Sequence, residues 1–119
     1  MILVDTSVWV SHLRKGNSRL KTLLTKGEVV CHPFVVGELA CGNLQNREEI
    51  LTLLKSLPMA KTAEHQEVLF FIEQNDLMGL GLGYIDVNLL SSAILTEVTL
   101  WTNDKKLGEV STKLKVSYK

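Results

Sequence analysis

The chain has 119 residues, of which 45% are hydrophobic and 22% are charged, so it has enough apolar side chains for a core and is not disordered in bulk. Thirteen basic and thirteen acidic residues cancel, which excludes a uniformly basic nucleic-acid binder but leaves room for a local basic patch. The apolar runs are too short to cross a bilayer, and Asp5 interrupts the only leader-like stretch. We therefore expect one domain over residues 1–119, in a cytoplasmic protein without membrane contact.

The two cysteines, Cys31 and Cys41, are too few for a disulfide framework. They also lack the paired spacing of a zinc site. We expect both to be free and buried as small hydrophobic side chains.

The first half of the chain alternates short aliphatic runs with amphipathic stretches. Residues 2–4 predict a strand that is buried on both faces and ends on Asp5. Capping signals then place the helices, since Asn17 or Ser18 can cap the second one and Gly27 can end it. The elements predicted after the first strand are a helix over 7–14, a helix in "NSRLKTLLTKG", a strand in "EVVCH", a helix from Pro33 to Gly42 in "PFVVGELACG", and a helix in "REEILTLLKSL".

The second half repeats this alternation. Thr62 can cap a helix in "AEHQEVLFFIEQNDL", and "MGLGLG" is a glycine-punctuated loop. The remaining predicted elements are a short strand in "PMAKT", a helix in "YIDVNLLSSAILTE", a strand in "VTLWT", a short helix in "NDKKLGEV" and a last strand in "LKVSY". Alternating strands and helices are typical of a three-layer α/β/α sandwich around a mainly parallel sheet.

Four acidic residues are candidates for one edge of that sheet. In open α/β sheets, ligands bind beyond the carboxyl ends of the strands. Asp5 ends the first strand, Asp104 follows "VTLWT" by two residues, and Asp86 opens the helix before it. Glu38 lies among apolar residues of the helix after the second strand. Helix capping, a helix dipole or a turn would explain each aspartate singly, but Glu38 is harder to explain that way.

Carboxylates gathered at one edge would repel one another unless some were protonated or a cation lay between them. Mg²⁺ and Mn²⁺ prefer such hard oxygen ligands. A divalent ion can activate water, and two ions about 4 Å apart can stabilise the attacking and leaving oxygens of a phosphodiester. The pattern therefore favours metal-assisted phosphodiester hydrolysis.

Four segments in this order resemble the PIN-domain ribonucleases, and specifically the VapC-type toxins of toxin–antitoxin pairs. They are "VDTSVW", "VGELACG", "YIDVNLLSSA" and "WTNDKKL", and the likeness spans essentially the whole chain. The resemblance implies a PIN-like fold and an endoribonuclease that depends on Mg²⁺ or Mn²⁺. It further implies an RNA substrate, inhibition by a cognate antitoxin protein, and a homodimer.

Carried over by this resemblance, the family's acidic residues fall on Asp5, Glu38, Asp86 and Asp104. Its hydroxyl positions fall on Thr6 and Thr102, and Ser7 follows Thr6. We expect Asp5, Asp86 and Asp104 to hold a catalytic metal directly or through water. Glu38 would bind a second ion or orient the attacking water, and the three hydroxyls would hold ligands or phosphate. The sequence departs from the family at Ser91 and Ser92, where alanines are usual.

Basic residues near the first helix give the chain a local positive charge. Arg14 and Lys15 belong to a run without any acid between Asp5 and Glu28, and Lys105 follows the last of the four acids. We predict that these three cations contact RNA phosphates, although a solvated helix face explains any single lysine equally well.

Two other functions stay open at this point. One is a PIN-like module that binds RNA or a protein without cutting. The other is an RNA-processing nuclease of the same fold that has no antitoxin. Retention of all four acids argues against the binding module.

Overall fold

A parallel three-stranded sheet lies at the centre of the computed structural model, which describes all residues 1–119. Its strands are β1 (Ile2–Val4), β2 (Val29–Val30) and β3 (Thr99–Trp101), in the order β2-β1-β3. Leu3 pairs with Val30 on one side and with Leu100 on the other. β1 is buried along its whole length, as expected for a central parallel strand.

Seven helices flank the sheet, so the predicted α/β architecture with a central parallel sheet is confirmed. They are α1 (Thr6–Lys15), α2 (Ser18–Thr25), α3 (Pro33–Ala40), α4 (Arg47–Ser56), α5 (His65–Gln74), α6 (Tyr84–Thr96) and α7 (Lys105–Lys113). None of them combines the length and apolarity that crossing a membrane would need.

The two strands predicted at the margins, in "PMAKT" and "LKVSY", do not form as strands. Met59 makes an isolated parallel bridge with Cys31, and Ser117 makes one with Leu100. Each bridge is held by two backbone hydrogen bonds. In the bridge to Met59, the Cys31 N–H donates to the Pro58 carbonyl, and the Ala60 N–H donates to the Cys31 carbonyl. Pro58 cannot donate a hydrogen bond to a ladder, which limits pairing there.

The two ends of α2 follow the capping chemistry of the sequence, whereas the start of α5 does not. The Asn17 side chain accepts a hydrogen bond from the Leu20 N–H, and Gly27 has a φ of 69° just past α2. α5, however, does not begin at Thr62. Glu64 takes the N-cap position instead, and its backbone N–H donates to Glu67 Oε1 at 2.9 Å, so the helix starts two residues later.

The hydrophobic core follows the sheet and the inner faces of the helices. Leu3, Val4, Leu89 and Leu90 are fully buried in it, as is Trp9 to within one per cent. Cys31 is buried as expected, whereas Cys41 is exposed, so that part of the cysteine prediction is wrong. The core fixes β1 and β3 side by side, and both strands therefore deliver their carboxyl ends to one edge.

Candidate metal centre

Asp5 is a carboxylate that is almost completely withdrawn from solvent, with only 6% of its surface exposed. It occupies the N-cap position of α1, yet its side chain caps no backbone N–H. Instead, Oδ2 accepts hydrogen bonds from the Ser7 hydroxyl at 2.8 Å and the Thr102 hydroxyl at 2.7 Å. Capping is therefore not the reason for the acid at this strand end, and the two hydroxyls stabilise its buried charge.

The same two hydroxyls connect Asp5 to the segment after β3. Thr102 Oγ1 also accepts from the Asp104 backbone N–H, and Ser7 Oγ accepts from the Asn103 backbone N–H, both at 3.0 Å. Residues at opposite ends of the chain are thus held in one network. The Asp104 side chain itself accepts from the Leu107 N–H and caps α7, so it has the ordinary role as well.

Asp86 lies close enough to the other two aspartates to respond to their charges. Its pKa is raised, chiefly because burial penalises the charged form. The Gly83 backbone N–H donates to Oδ2 at 2.9 Å and lowers the pKa in part. The negative charges of Asp5 and Asp104 raise it further. Three aspartates from distant parts of the sequence therefore share one electrostatic environment.

Glu38 reaches this neighbourhood through Thr6. The Thr6 hydroxyl donates to Glu38 Oε1 at 2.6 Å, which joins the first turn of α1 to α3. Glu38 is exposed, whereas its helix neighbours Val35 and Leu39 are buried in the core. The apolar residues around Glu38 are thus explained by packing, and its own carboxylate faces solvent and is joined through Thr6 to the segment that carries Asp5.

The carboxylates converge without forming a ready-made set of metal ligands. No group of three or more Asp, Glu, His or Cys side chains is arranged so that it could hold a metal ion as it stands. The donors near the network are carboxylate and hydroxyl oxygens, the type that Mg²⁺ and Mn²⁺ prefer. Mutual repulsion at Asp86 is the property that a cation would relieve.

The predicted cationic residues lie at different distances from the acids. Arg14 and Lys15 line a recess of about 160 Å³ on α1 together with Ser7, which is itself bonded to Asp5. Lys105 is exposed at the start of α7, directly after Asp104. Arg14 and Lys15 are therefore joined to the acids by one helix face, and Lys105 by its position in the chain.

Ser92 explains one departure of this sequence from the pattern of the family it resembles. His32 is buried, and its Nδ1 accepts from the Phe34 backbone N–H, so its Nε2 carries the proton that is donated to Ser92 Oγ at 3.0 Å. Burial lowers the pKa of His32 to about 4. An alanine at position 92 would leave that buried imidazole N–H without this partner.

A cleft beside Glu38 is a feature that the sequence analysis missed. It has a volume of about 310 Å³ and is lined by Pro33, Phe34, Gly37, Glu38, Cys41 and Ile85. The spacing of Phe34, Glu38 and Cys41 is the signal for it, because residues four and three apart share one face of a helix. Ile85 comes from α6, next to Asp86, and closes the other side of the cleft.

Sequence comparisons give relatives over most of the chain. Residues 2–113 match the family model described as PIN domain. The chain is 47% identical over 108 residues to Ribonuclease VapC32 of Mycobacterium tuberculosis, from strains CDC 1551 / Oshkosh and ATCC 25618 / H37Rv. This alignment covers 90% of the chain and 87% of the relative.

Two solved structures share the fold at low sequence identity. FitAcB from Neisseria gonorrhoeae has a TM-score of 0.64 and 18% identity, over 94% of both chains. PAE2754 from Pyrobaculum aerophilum has a TM-score of 0.61 and 16% identity, over 96% of this chain and 88% of the other. At these identities the likeness concerns the arrangement of the elements.

Proposed function

We propose, from the premise that this chain belongs to the PIN domain family, that it is an endoribonuclease which hydrolyses RNA phosphodiester bonds with a divalent metal ion. The resemblance to VapC-type ribonucleases found in the sequence is confirmed by 47% identity to a relative of that name. The structural observation that carries the proposal is the network through which Ser7 and Thr102 hold Asp5 beside Asp104.

Asp5, Asp86 and Asp104 are the residues that would hold the ion, and Mg²⁺ or Mn²⁺ suits their oxygen donors. Since no three side chains are placed as direct ligands, an ion that keeps several of its waters fits best. Such an ion supplies a water of lowered pKa and stabilises negative charge on a phosphodiester.

The remaining residues orient these groups. Thr102 and Ser7 fix Asp5 Oδ2, so that the carboxylate keeps one orientation. Thr6 holds Glu38, whose exposed carboxylate can accept a proton from an attacking water. Arg14, Lys15 and Lys105 would contact phosphates of the RNA strand on either side of the site.

The proposed partner proteins rest on the resemblance to VapC-type toxins. We assign the chain as the toxin of a toxin–antitoxin pair, inhibited by a small cognate antitoxin, and as a homodimer. Support for the setting comes from the VapC name of the relative. Finding a small gene beside this one, whose product co-purifies with the chain and suppresses its activity, would test the assignment.

The deciding experiment is cleavage of single-stranded RNA by the purified protein with Mn²⁺, with Mg²⁺ and with EDTA. We expect cleavage with either ion and none with EDTA. In Asp5→Asn the cleavage rate should fall by more than ~100-fold, which exceeds the effect of losing a residue that only supports a metal ligand. Asp76→Asn is the matched control. Asp76 is an exposed aspartate with a φ of 51°, a conformation that asparagine tolerates.

A non-catalytic binding module is the second candidate, because no three ligating side chains are in place for a metal. Calorimetric titration with Mn²⁺ separates the two functions. The nuclease should bind the ion with an affinity that Asp5→Asn reduces, whereas a pure binding module would give equal, negligible heats for both proteins. Metal-dependent cleavage retained by Asp5→Asn would contradict the site.

A further inference from the structure

The cleft next to Glu38 is continuous with the proposed catalytic site. Glu38 itself lines it, and the residue after Ile85 on its opposite wall is Asp86. A nucleotide whose phosphate lies at the acids therefore has this cleft directly beside it. Its volume of about 310 Å³ is at the lower end of the ~300–1,000 Å³ that small-ligand sites span.

The chemistry of the cleft suits an uncharged, flat group rather than a phosphate. Pro33, Phe34 and Ile85 form its apolar walls, and no basic side chain lines it. Phosphate would be repelled by Glu38, whereas a nucleobase presents apolar faces and carries no charge. The cationic residues that suit phosphates lie elsewhere, along α1 and at the start of α7.

Phe34 is held as an aromatic surface with one side open. Its ring contacts the buried His32 ring, with centroids 5.2 Å apart and planes tilted by 58°. Its backbone N–H is fixed by His32 Nδ1 at 3.0 Å, and yet 39% of the residue remains exposed. A phenyl ring anchored on one side and open on the other is the arrangement on which unpaired bases stack.

We propose that this cleft is a base-binding subsite, in which Phe34 stacks on an unpaired nucleobase of the RNA strand next to the bond that is cut. The proposal rests on the proposed ribonuclease function and adds to it a residue that contacts a base of the substrate. Phe34 is thus a specificity-determining residue, because a base paired in a duplex cannot enter the cleft.

The first test uses an RNA oligonucleotide that the wild-type protein cleaves with Mn²⁺. Its binding is then measured in EDTA by fluorescence anisotropy, so that no cleavage occurs. Phe34→Leu keeps apolar bulk but has no aromatic face, and we expect it to bind about tenfold more weakly, equivalent to about 1.4 kcal/mol. Phe34→Tyr should bind within about twofold of wild type. Phe70→Ala is the control, since Phe70 is 65% exposed on α5 and lies outside the cleft.

An abasic nucleotide in the RNA shows whether the lost contact is to a base. One position near the cut should weaken wild-type binding about tenfold when its base is removed, and Phe34→Leu should lose little more with that RNA. Full additivity of the two losses would mean that Phe34 does not contact that base. If every abasic position gave full additivity, the proposal would be overturned.

Cys41 offers a second readout that needs no substitution. It lines the cleft and is the exposed one of the two free cysteines. Intact RNA should slow its alkylation by iodoacetamide in EDTA, and RNA lacking the critical base should not. Equal alkylation rates with and without bound RNA would place the base elsewhere and overturn the subsite.

The outcomes also separate this proposal from the function on which it rests. A wild-type protein that cleaves RNA, with Phe34→Leu unchanged in RNA affinity, overturns only the subsite and leaves the cleft as a surface for a protein partner. A wild-type protein that neither binds nor cleaves RNA overturns both.

Discussion

The Thr102 hydroxyl donates a 2.7 Å hydrogen bond to Asp5 Oδ2, across a separation of 97 residues in the sequence. Thr102 Oγ1 in turn accepts a hydrogen bond from the Asp104 backbone N–H at 3.0 Å. One hydroxyl thus sets the orientation of one candidate metal ligand and the backbone position of another.

Replacing Thr102 by valine removes that hydroxyl and keeps the shape of the side chain. We expect the metal-dependent cleavage rate to fall by about 10- to 100-fold, because Asp5 loses one of its two hydroxyl donors. The free energy of unfolding should fall by about 1 to 3 kcal/mol, because the hydroxyl donates one hydrogen bond to Asp5 and accepts another from the Asp104 N–H. Thr99→Val, at the start of β3 and outside the network around Asp5, should leave the cleavage rate unchanged. Steady-state rates and urea unfolding measure the two effects, and equal rates for both variants would contradict the role of Thr102.

Much of the fold was accessible from the sequence because aliphatic runs and strand-end acids carry strong local signals. Ile2–Val4 predicts a central strand by its unbroken apolar character, and the sheet forms around it. The strands predicted around Met59 and Ser117 are wrong, because each segment pairs with the sheet through only a single bridge. How far a strand pairs depends on neighbours from distant parts of the chain, and local propensity does not encode them.

The candidate site was accessible as a set of residues but not as a geometry. Position at strand ends indicated Asp5 and Asp104, and the structure brings them together through Thr102. Sequence alone left capping open for Asp5, and only the fold places two hydroxyls at its Oδ2 in place of backbone N–H groups. The sequence does not indicate a role for Phe34, because a single aromatic residue on a helix can be either buried or exposed, and only the fold shows that one side of its ring is open.

Asp86→Asn should raise the stability of the protein and abolish RNA cleavage, and so separate the destabilising effect of the clustered acids from their role in the reaction. Burial raises the pKa of Asp86, and repulsion from Asp5 and Asp104 adds to it, so the charged form destabilises the native state at neutral pH. Asparagine removes this charge and can still accept the Gly83 N–H through its amide oxygen. We expect the variant to melt at a higher temperature than wild type in EDTA, while its RNA cleavage is lost.

Adding Mn²⁺ should reverse that order of melting temperatures. A ligand that binds only the native state raises its stability according to its concentration and affinity, and the variant lacks one of the proposed ligands. Thermal unfolding with increasing Mn²⁺ measures both curves. Identical upward shifts for the two proteins would show that Asp86 does not hold the ion.

His32 should make the protein sensitive to mild acid. Its pKa is lowered to about 4 by burial, from 6.5 for an accessible histidine. In the unfolded chain His32 takes up a proton near pH 6.5, whereas in the native protein it stays neutral until about pH 4. The free energy of unfolding is therefore unaffected by His32 above pH 6.5 and decreases as the pH falls from 6.5 to about 4. The loss amounts to about 3 kcal/mol at ~1.4 kcal/mol per pKa unit.

The measurement is the free energy of unfolding in urea at several pH values between 6.5 and 4.5. His32→Asn keeps a side chain that can cap α3, and it should be less stable overall but show a flatter dependence on pH. His65→Gln, at an exposed histidine, is the control and should keep the wild-type slope. A wild-type slope in His32→Asn would assign the acid sensitivity to other groups.

Arg14→Gln should weaken RNA binding mainly through its electrostatic part. Arg14 lies seven residues after Ser7 on the same recess of α1, about 10 Å along the helix axis at ~1.5 Å per residue. A phosphate held there would belong to a nucleotide near the cleaved one. Removing one phosphate contact should lower the magnitude of the slope of log K against log salt concentration by about 0.7, the value for single strands.

Anisotropy titrations in EDTA at several salt concentrations give this slope. Lys55→Gln, at an exposed lysine on α4, is the control and should leave the slope unchanged. A slope for Arg14→Gln equal to that of wild type would remove Arg14 from the path of the RNA and leave Lys15 and Lys105 as the proposed phosphate contacts.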